Sequence, residues 1–285
     1  MLTGDRRSSK TQGCQWLAAV AIFRQGKLAA SMMNLIAPPV LVSPSATLPT
    51  LRAQGFAVLN TTGVCTLSGC HLPDLLALAP FWGDLPPDPH LKDGGRYRRR
   101  RHSCFVVNNT AVAPVPHRPH WQPLAYNALH GGMHRLFEPV APAMLASPVW
   151  HQLLLWLGQV TSALRGPQPW FGEAHPFRID TTDGIGRPTP EGAHRDGVDL
   201  VAVFLVGRQG VKGGETRVFD VDGPAGQRFT LTEPWSLLLL DDARVIHEST
   251  PIQPLQADSH AAYRDTLVVT LRSGGFPGEG SAPVA

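Results

Sequence analysis

PEGAHRDGVDLVAVFLV, residues Pro190 to Val206, joins a polar turn to a short apolar run. The run, VDLVAVFLV from Val198, is rich in β-branched residues and predicts a buried strand. Similar segments lie on both sides of it. FRID (Phe177–Asp180) precedes it, and GGETRVFD, QRFTLTE, WSLLLL, RVIHEST and RDTLVVTLR follow, separated by Gly, Pro or Asp clusters. Seven strands at this rhythm, with no helical pattern between them, exclude a parallel βαβ sheet. They predict an antiparallel sandwich or a double-sheet jelly roll.

Upstream, from about Ser45 to Leu164, helical spacing dominates. LPDLLALAPFW (Leu72–Trp82) and SPVWHQLLLWLGQVTSAL (Ser147–Leu164) are predicted helices, the second with Ser147 as N-cap and proline next. FAVLN (Phe56–Asn60) and SCFVV (Ser103–Val107) are predicted strands. The expected fold class is mainly β with flanking helices, as one domain over residues 41–273. Residues 1–40 read as a poorly ordered leader, with Met32 or Met33 as an alternative start, and GGFPGEGSAPVA (Gly274–Ala285) as a flexible tail.

The 285 residues are 43% hydrophobic and only 16% charged, enough to build a core and to exclude global disorder. A net charge of +3 is too small to imply nucleic acid. The four cysteines form no CxxC pair, which suits a reducing compartment. The apolar WLAAVAIF (Trp16–Phe23) is too short to span a bilayer and lacks a good cleavage context. A cytoplasmic protein with no membrane or nucleic-acid partner is expected. Its oligomeric state is open, a homodimer included.

The polar half of the opening stretch carries the chemistry. On extended chain His194 and Asp196 project to one face while Arg195 points away. Alone, H-x-D reads more readily as a surface loop than as a metal site. Fifty residues on, SLLLLDDARVIHESTP builds a strand, a tight turn and a second strand with His247. A jelly roll brings such distant strands together. Two imidazoles and one carboxylate are the ligand set of non-haem Fe(II) oxygenases. A zinc hydrolase would need a separate acid/base, and HRD here lacks the downstream Asn and DFG of a kinase. In YRDTLVV, Arg264 and Thr266 also share a face, with Asp265 on the other. An arginine buried among apolar strands needs an anion, and the carboxylate of 2-oxoglutarate would satisfy its fork. The competing reading has Arg264 exposed and paired with an acid.

With His194-x-Asp196, His247 and Arg264-x-Thr266 in order, the chain resembles the Fe(II)/2-oxoglutarate-dependent dioxygenases. PTPEGAHRDGVD, LKDGGRYR, GGET, HESTPI and YRDTLVVT are similar to the bacterial free-amino-acid hydroxylases that include L-isoleucine 4-hydroxylase. The resemblance covers roughly Ser45 to Arg272. It implies a double-stranded β-helix (jelly roll, cupin-like), with His194, Asp196 and His247 as iron ligands. Arg264 is then the anchor of the 2-oxoglutarate tail, with Thr266 as an added donor. The implied reaction hydroxylates an unactivated C–H of a free, aliphatic L-amino acid. O2 and 2-oxoglutarate are consumed, succinate and CO2 are released, and ascorbate is stimulatory. Retention of Asp196 favours hydroxylation over halogenation. The alternative is a carrier-bound or peptide-bound residue as substrate.

Two residues are candidates for holding that substrate: Glu191 for an ammonium group and Arg178 for a carboxylate, with a loop carboxylate and a structural ion pair as the competing readings. The run RYRRRRHSCF (Arg96–Phe105) departs from the resemblance in its arginine content. Alternation sends Arg96, Arg98 and Arg100 to one face and Arg99 and Arg101 to the other. The expectation is a solvated edge strand blunted by charge, with substrate carboxylate recognition by one or two of them next. His102, His117, His120, His130 and His134 are assigned no metal.

Overall fold

The computed structural model describes residues 37–256 and 262–278. In chain order it runs α1 (Thr47–Gln54), β1 (Phe56–Leu59), α2 (Thr61–Ser68), α3 (Leu72–Leu76), β2 (Arg98–Arg100), β3 (Ser103–Val107), β4 (Val112–Pro114), α4 (Pro142–Leu145) and α5 (Pro148–Arg165). Strands β5 (Trp170–Asp180), β6 (Leu200–Gln209), β7 (Val211–Gly213), β8 (Thr216–Asp220), β9 (Gly226–Phe229), β10 (Leu237–Leu240), β11 (Val245–Ser249), β12 (Ile252–Pro254) and β13 (Tyr263–Arg272) complete it. The large sheet has the order β1-β10-β6-β13-β5-β3-β4, with β2 also on β5. A small sheet, β11-β8-β9, lies over its inner face, and the helices cover the outer one. This is the expected jelly roll with flanking helices.

Alternation along the central strands separates two cores. Outward residues such as Ala202, Phe204, Leu267, Val269 and Leu271 join Trp150, Leu153, Leu154 and Leu157 of α5. Inward residues Val201 and Leu205 meet Val218, Phe229 and Val245 of the small sheet. Each buried leucine of this kind contributes about 1.5–3 kcal/mol. Helix α5 can approach the sheet because Gly158 faces Val107, where a Cβ would lie 2.4 Å from Val107 Cγ1. Among the described residues no single helix is long and apolar enough to cross a membrane.

Several expectations need correction. The helix predicted over Leu72–Trp82 stops at Leu76, and a 3-10 turn takes Ala79–Trp82. Pro80 has no N–H for Leu76 and cannot continue an α-helix. Ser147 is the N-cap of α5 with Pro148 following, but its side chain makes no capping bond. Strand β5 begins at Trp170 rather than Phe177 and runs through Pro176. That is tolerated because the Pro176 carbonyl accepts from Arg101 N at 3.2 Å, on the side where β2 gives way to β3. The missing N–H therefore faces the same break and costs no regular ladder bond. Strands β4, β7 and β12 were not anticipated, whereas β2 falls within the expected edge strand.

The expected leader lies largely outside the described residues, although the Ala37 carbonyl already accepts from Thr230 N at 2.8 Å. The flexible tail is corrected over its first part. Phe276 is buried and packs edge-to-face on Phe171, so the ordered chain continues past Gly274. Residues 279–285 lie outside the described residues.

Candidate active site

His194, Asp196 and His247 converge as the sequence predicts. One ligand atom from each lies within 4.8 Å of the others. Backbone pairing builds this: His194 N donates to the His247 carbonyl at 3.0 Å, and His247 N to the His194 carbonyl at 2.9 Å. Their rings then lie 4.6 Å apart between centroids. His194 Nδ1 donates to the Gly192 carbonyl at 2.9 Å, which fixes the tautomer and leaves the Nε2 lone pair toward the group. Nε2 of His194 and of His247 are 3.9 and 3.8 Å from the two Asp196 oxygens.

Two residues not singled out in the sequence hold Asp196. Its backbone N–H and those of Gly197 and Val198 donate to the Asp242 carboxylate at 3.0, 2.7 and 3.1 Å. Gln122 donates its amide to Asp196 Oδ1 at 3.1 Å, and its own carbonyl accepts from Asn127 and Arg135. The charges interact strongly. Burial alone disfavours charged His194, but the Glu191 and Asp196 carboxylates overcome it and raise its pKa. Burial and the adjacent His194 push His247 down to about 3.

Arg264 lies on the inner face of β13 and is 4% exposed. Its Nε has no partner among the described residues. Its cross-strand neighbours are Ile179 and Arg208, so burial and a like charge lower its pKa to about 10. Thr266 is next on the same face, and both line the cavity that His194, Asp196 and His247 enter. Glu191 lines it too, its Oε1 3.6 Å from His194 Nε2 and its Oε2 buried with no partner among the described residues.

Arg178 is a correction. It projects from the other face of β5 and forms a two-pronged pair with Asp265, at 2.8 and 2.7 Å, beneath the Tyr263 ring. Strand alternation puts it away from Phe177 and Ile179, which do line the cavity. It has no access to a substrate there.

The basic run is a second correction. Arg96, Arg99 and Arg101 face outward and pair with Asp183, Asp180 and Glu138. Arg98 and Arg100 instead point inward at 5% and 3% exposure. The pairing of β2 with β5 turns an expected solvated edge into a cavity wall.

Three histidines form a group of their own. His102, His120 and His175 gather about the buried Glu173 in a second cluster. His120 Nδ1 donates to Glu173 Oε2 at 2.7 Å, and His102 and His175 lie 3.6 Å from its oxygens. Burial opposes a charged Glu173, but His120 and the other two rings hold its carboxyl well below the usual range. This group fits an ion poorly. Arg100 donates to His175 Nδ1 at 2.6 Å, so the hydrogen of neutral His175 is on Nε2, the atom that faces Glu173. The His102 and His175 rings are stacked, their planes 16° apart, rather than convergent on one point. It is a hydrogen-bonded cage around one carboxylate. Glu173 and His175 share the cavity face of β5 with Phe177 and Ile179, a signal the sequence carried once the strand is extended to Trp170.

The His194 group fits ferrous iron and 2-oxoglutarate better. It offers imidazole nitrogen and carboxylate donors on one side, and Arg264, whose Nε has no partner among the described residues, presents a guanidinium for a dicarboxylate in the same cavity. No curated protein matches the chain. A bsmA homolog from Methylobium petroleophilum PM1 is 54% identical, with TM-score 0.80 over 88% of this chain and 100% of that one. IDO from Bacillus thuringiensis shares the fold at 18% identity, with TM-score 0.65 over 82% of this chain and all of its own. The Fe(II)/α-ketoglutarate-dependent dioxygenase TqaL does so at 19% identity, with TM-score 0.61 over 82% and 88%. The family model for 2OG-Fe dioxygenases matches residues 79–270, so the chain belongs to that family of non-haem iron, 2-oxoglutarate-dependent oxygenases.

Proposed function

We propose that the chain hydroxylates a free, aliphatic L-amino acid, with His194, Asp196 and His247 as the iron ligands. The observation that carries the substrate reading is Glu191: it lines the cavity with Oε1 3.6 Å from His194 Nε2, and its other oxygen, Oε2, is buried with no partner among the described residues. A buried carboxylate in that state calls for a cationic donor, and an α-ammonium group supplies it. Ile179, Val203 and Val268 line the same cavity and suit an aliphatic side chain.

Each residue then has a definite task. His194 and His247 present ring nitrogens, and Asp242 and Gln122 fix the third donor, Asp196. Arg264 and Thr266 hold the distal carboxylate of 2-oxoglutarate. Bound iron would couple oxidative decarboxylation of that cosubstrate by O2 to oxygen insertion into a C–H bond. The protein's part is to hold the substrate carbon beside the metal position and to keep bulk water out.

The test is succinate release with Fe(II), ascorbate, O2 and 2-oxoglutarate across the standard L-amino acids. At least one aliphatic member should stimulate it. His194→Ala and Asp196→Ala should lose bound iron by metal analysis, whatever the activity. A panel in which no amino acid raises succinate release overturns the substrate class. Unchanged iron in both variants overturns the ligand set.

A further inference from the structure

The amino-acid reading leaves a group of buried charges unexplained. Arg98, Arg100 and Arg135 are 5%, 3% and 2% exposed, and all three line the cavity. Arg98 Nε donates to Asp88 at 2.7 Å, Arg100 Nη2 to His175 at 2.6 Å and Arg135 Nη2 to Gln122 at 2.9 Å. Only the first of these partners is an anion. Among the described residues, each guanidinium keeps one buried nitrogen with no partner: Nη2 of Arg98, Nε of Arg100 and Nε of Arg135. The nearby Glu173 is already enclosed by three histidines. Every open donor of this kind costs about 1–3 kcal/mol, so the wall is built to receive an acceptor.

That acceptor is separate from the cosubstrate. Arg98 and Arg264 both register with Ile179, on opposite flanks of β5. At about 4.8 Å per strand their backbones are roughly 10 Å apart. A carboxylate held by Arg264 and Thr266 leaves the donors across β5 unsatisfied. Gln122 links the two regions, donating to Asp196 and accepting from Arg135. A small anion on the arginine wall therefore lies two side chains from the metal position. Arg100 is held rigid between Phe137 and Phe177, its guanidinium carbon 3.8 and 4.4 Å from the ring centroids.

We propose that Arg98, Arg100 and Arg135 form a carboxylate socket for the primary substrate, so that the substrate is a free acid. A residue tethered through its carboxyl, in a peptide or a carrier thioester, has lost the charge the socket requires. The inference rests on the proposed hydroxylase reading for the metal position and the 2-oxoglutarate anchor.

The experiment uses protein loaded with Mn(II) and saturating 2-oxoglutarate, which occupies Arg264 without turnover. The probes are 3-methylbutanoate and its amide, equal in shape and different in charge, followed by calorimetry and thermal melting. The acid should bind at least tenfold more tightly than the amide. Arg135→Gln and Arg98→Lys should each weaken the acid tenfold or more and leave the amide unchanged. Equal binding of acid and amide to the wild type, or none by either, overturns the socket, as does wild-type acid affinity in both folded variants. Should the variants not fold, the wild-type comparison decides alone. A protein that fails to hold Mn(II) refutes the proposed metal centre, and the same acid–amide comparison on metal-free protein still decides the socket.

Discussion

His194 and His247 are partners in one antiparallel bridge, each backbone N–H donating to the other's carbonyl. The two imidazoles thus converge through main-chain pairing, 53 positions apart in sequence by subtraction of their numbers. The bridge is held at both ends. Ser249 N donates to Thr189 Oγ1 at 3.0 Å on one side, and Asp242 gathers three N–H groups of the Asp196 turn on the other.

Asp242→Asn should therefore loosen the metal position without touching a ligand. Its amide nitrogen cannot accept the N–H bonds that one carboxylate oxygen now takes. Groups that orient metal ligands typically govern affinity 10–100-fold. Fe(II) binding measured by anaerobic titration should weaken by about that factor, while the folded fraction stays near wild type by circular dichroism.

Gly197→Ala should do more damage for its size. Gly197 has φ +78°, and a Cβ there would lie 2.6 Å from Tyr126 Cδ2. Left-handed backbone and a ring in contact both oppose the methyl group. A stability loss of about 1–3 kcal/mol is expected, read by urea unfolding, together with weaker iron binding because Asp196 precedes the turn.

Arg178→Met separates structure from binding. Its guanidinium pairs with the buried Asp265, so its loss leaves that carboxylate unpaired and should cost about 3 kcal/mol or more. The affinity for 2-oxoglutarate should be unchanged, since Arg178 is on the face away from Arg264. A large rise in the 2-oxoglutarate KM would contradict the placement.

Acid should destabilise the fold through its buried histidines. Burial, then Arg98, lowers His130 to about 4, and burial lowers His120 to about 4 against the pull of Glu173. Both rings are neutral in the folded state at a pH where the unfolded chain binds protons. Stability is therefore full above about 6.5 and falls as the pH drops toward 4. Urea midpoints across that window should decline, and His130→Gln should flatten the slope.

The local pattern of residues set much of this protein. Period-two alternation placed His194 with Asp196 and Arg264 with Thr266 on shared faces, and the density of short β-rich segments implied a jelly roll. Those are properties of neighbours in the chain, where backbone geometry fixes which side chains point together. Tertiary structure decided whatever depends on which strand lies beside which. Asp265 claims Arg178 because β13 registers with β5. Arg98 and Arg100 face the cavity because β2 joins that same strand. Glu173 collects His102 and His120 from separate segments, and Gln122 reaches Asp196 across 74 positions. An arginine in a run of arginines carries no local mark of its partner. Only the register across the sheet determines whether it meets water, an acid or an open cavity.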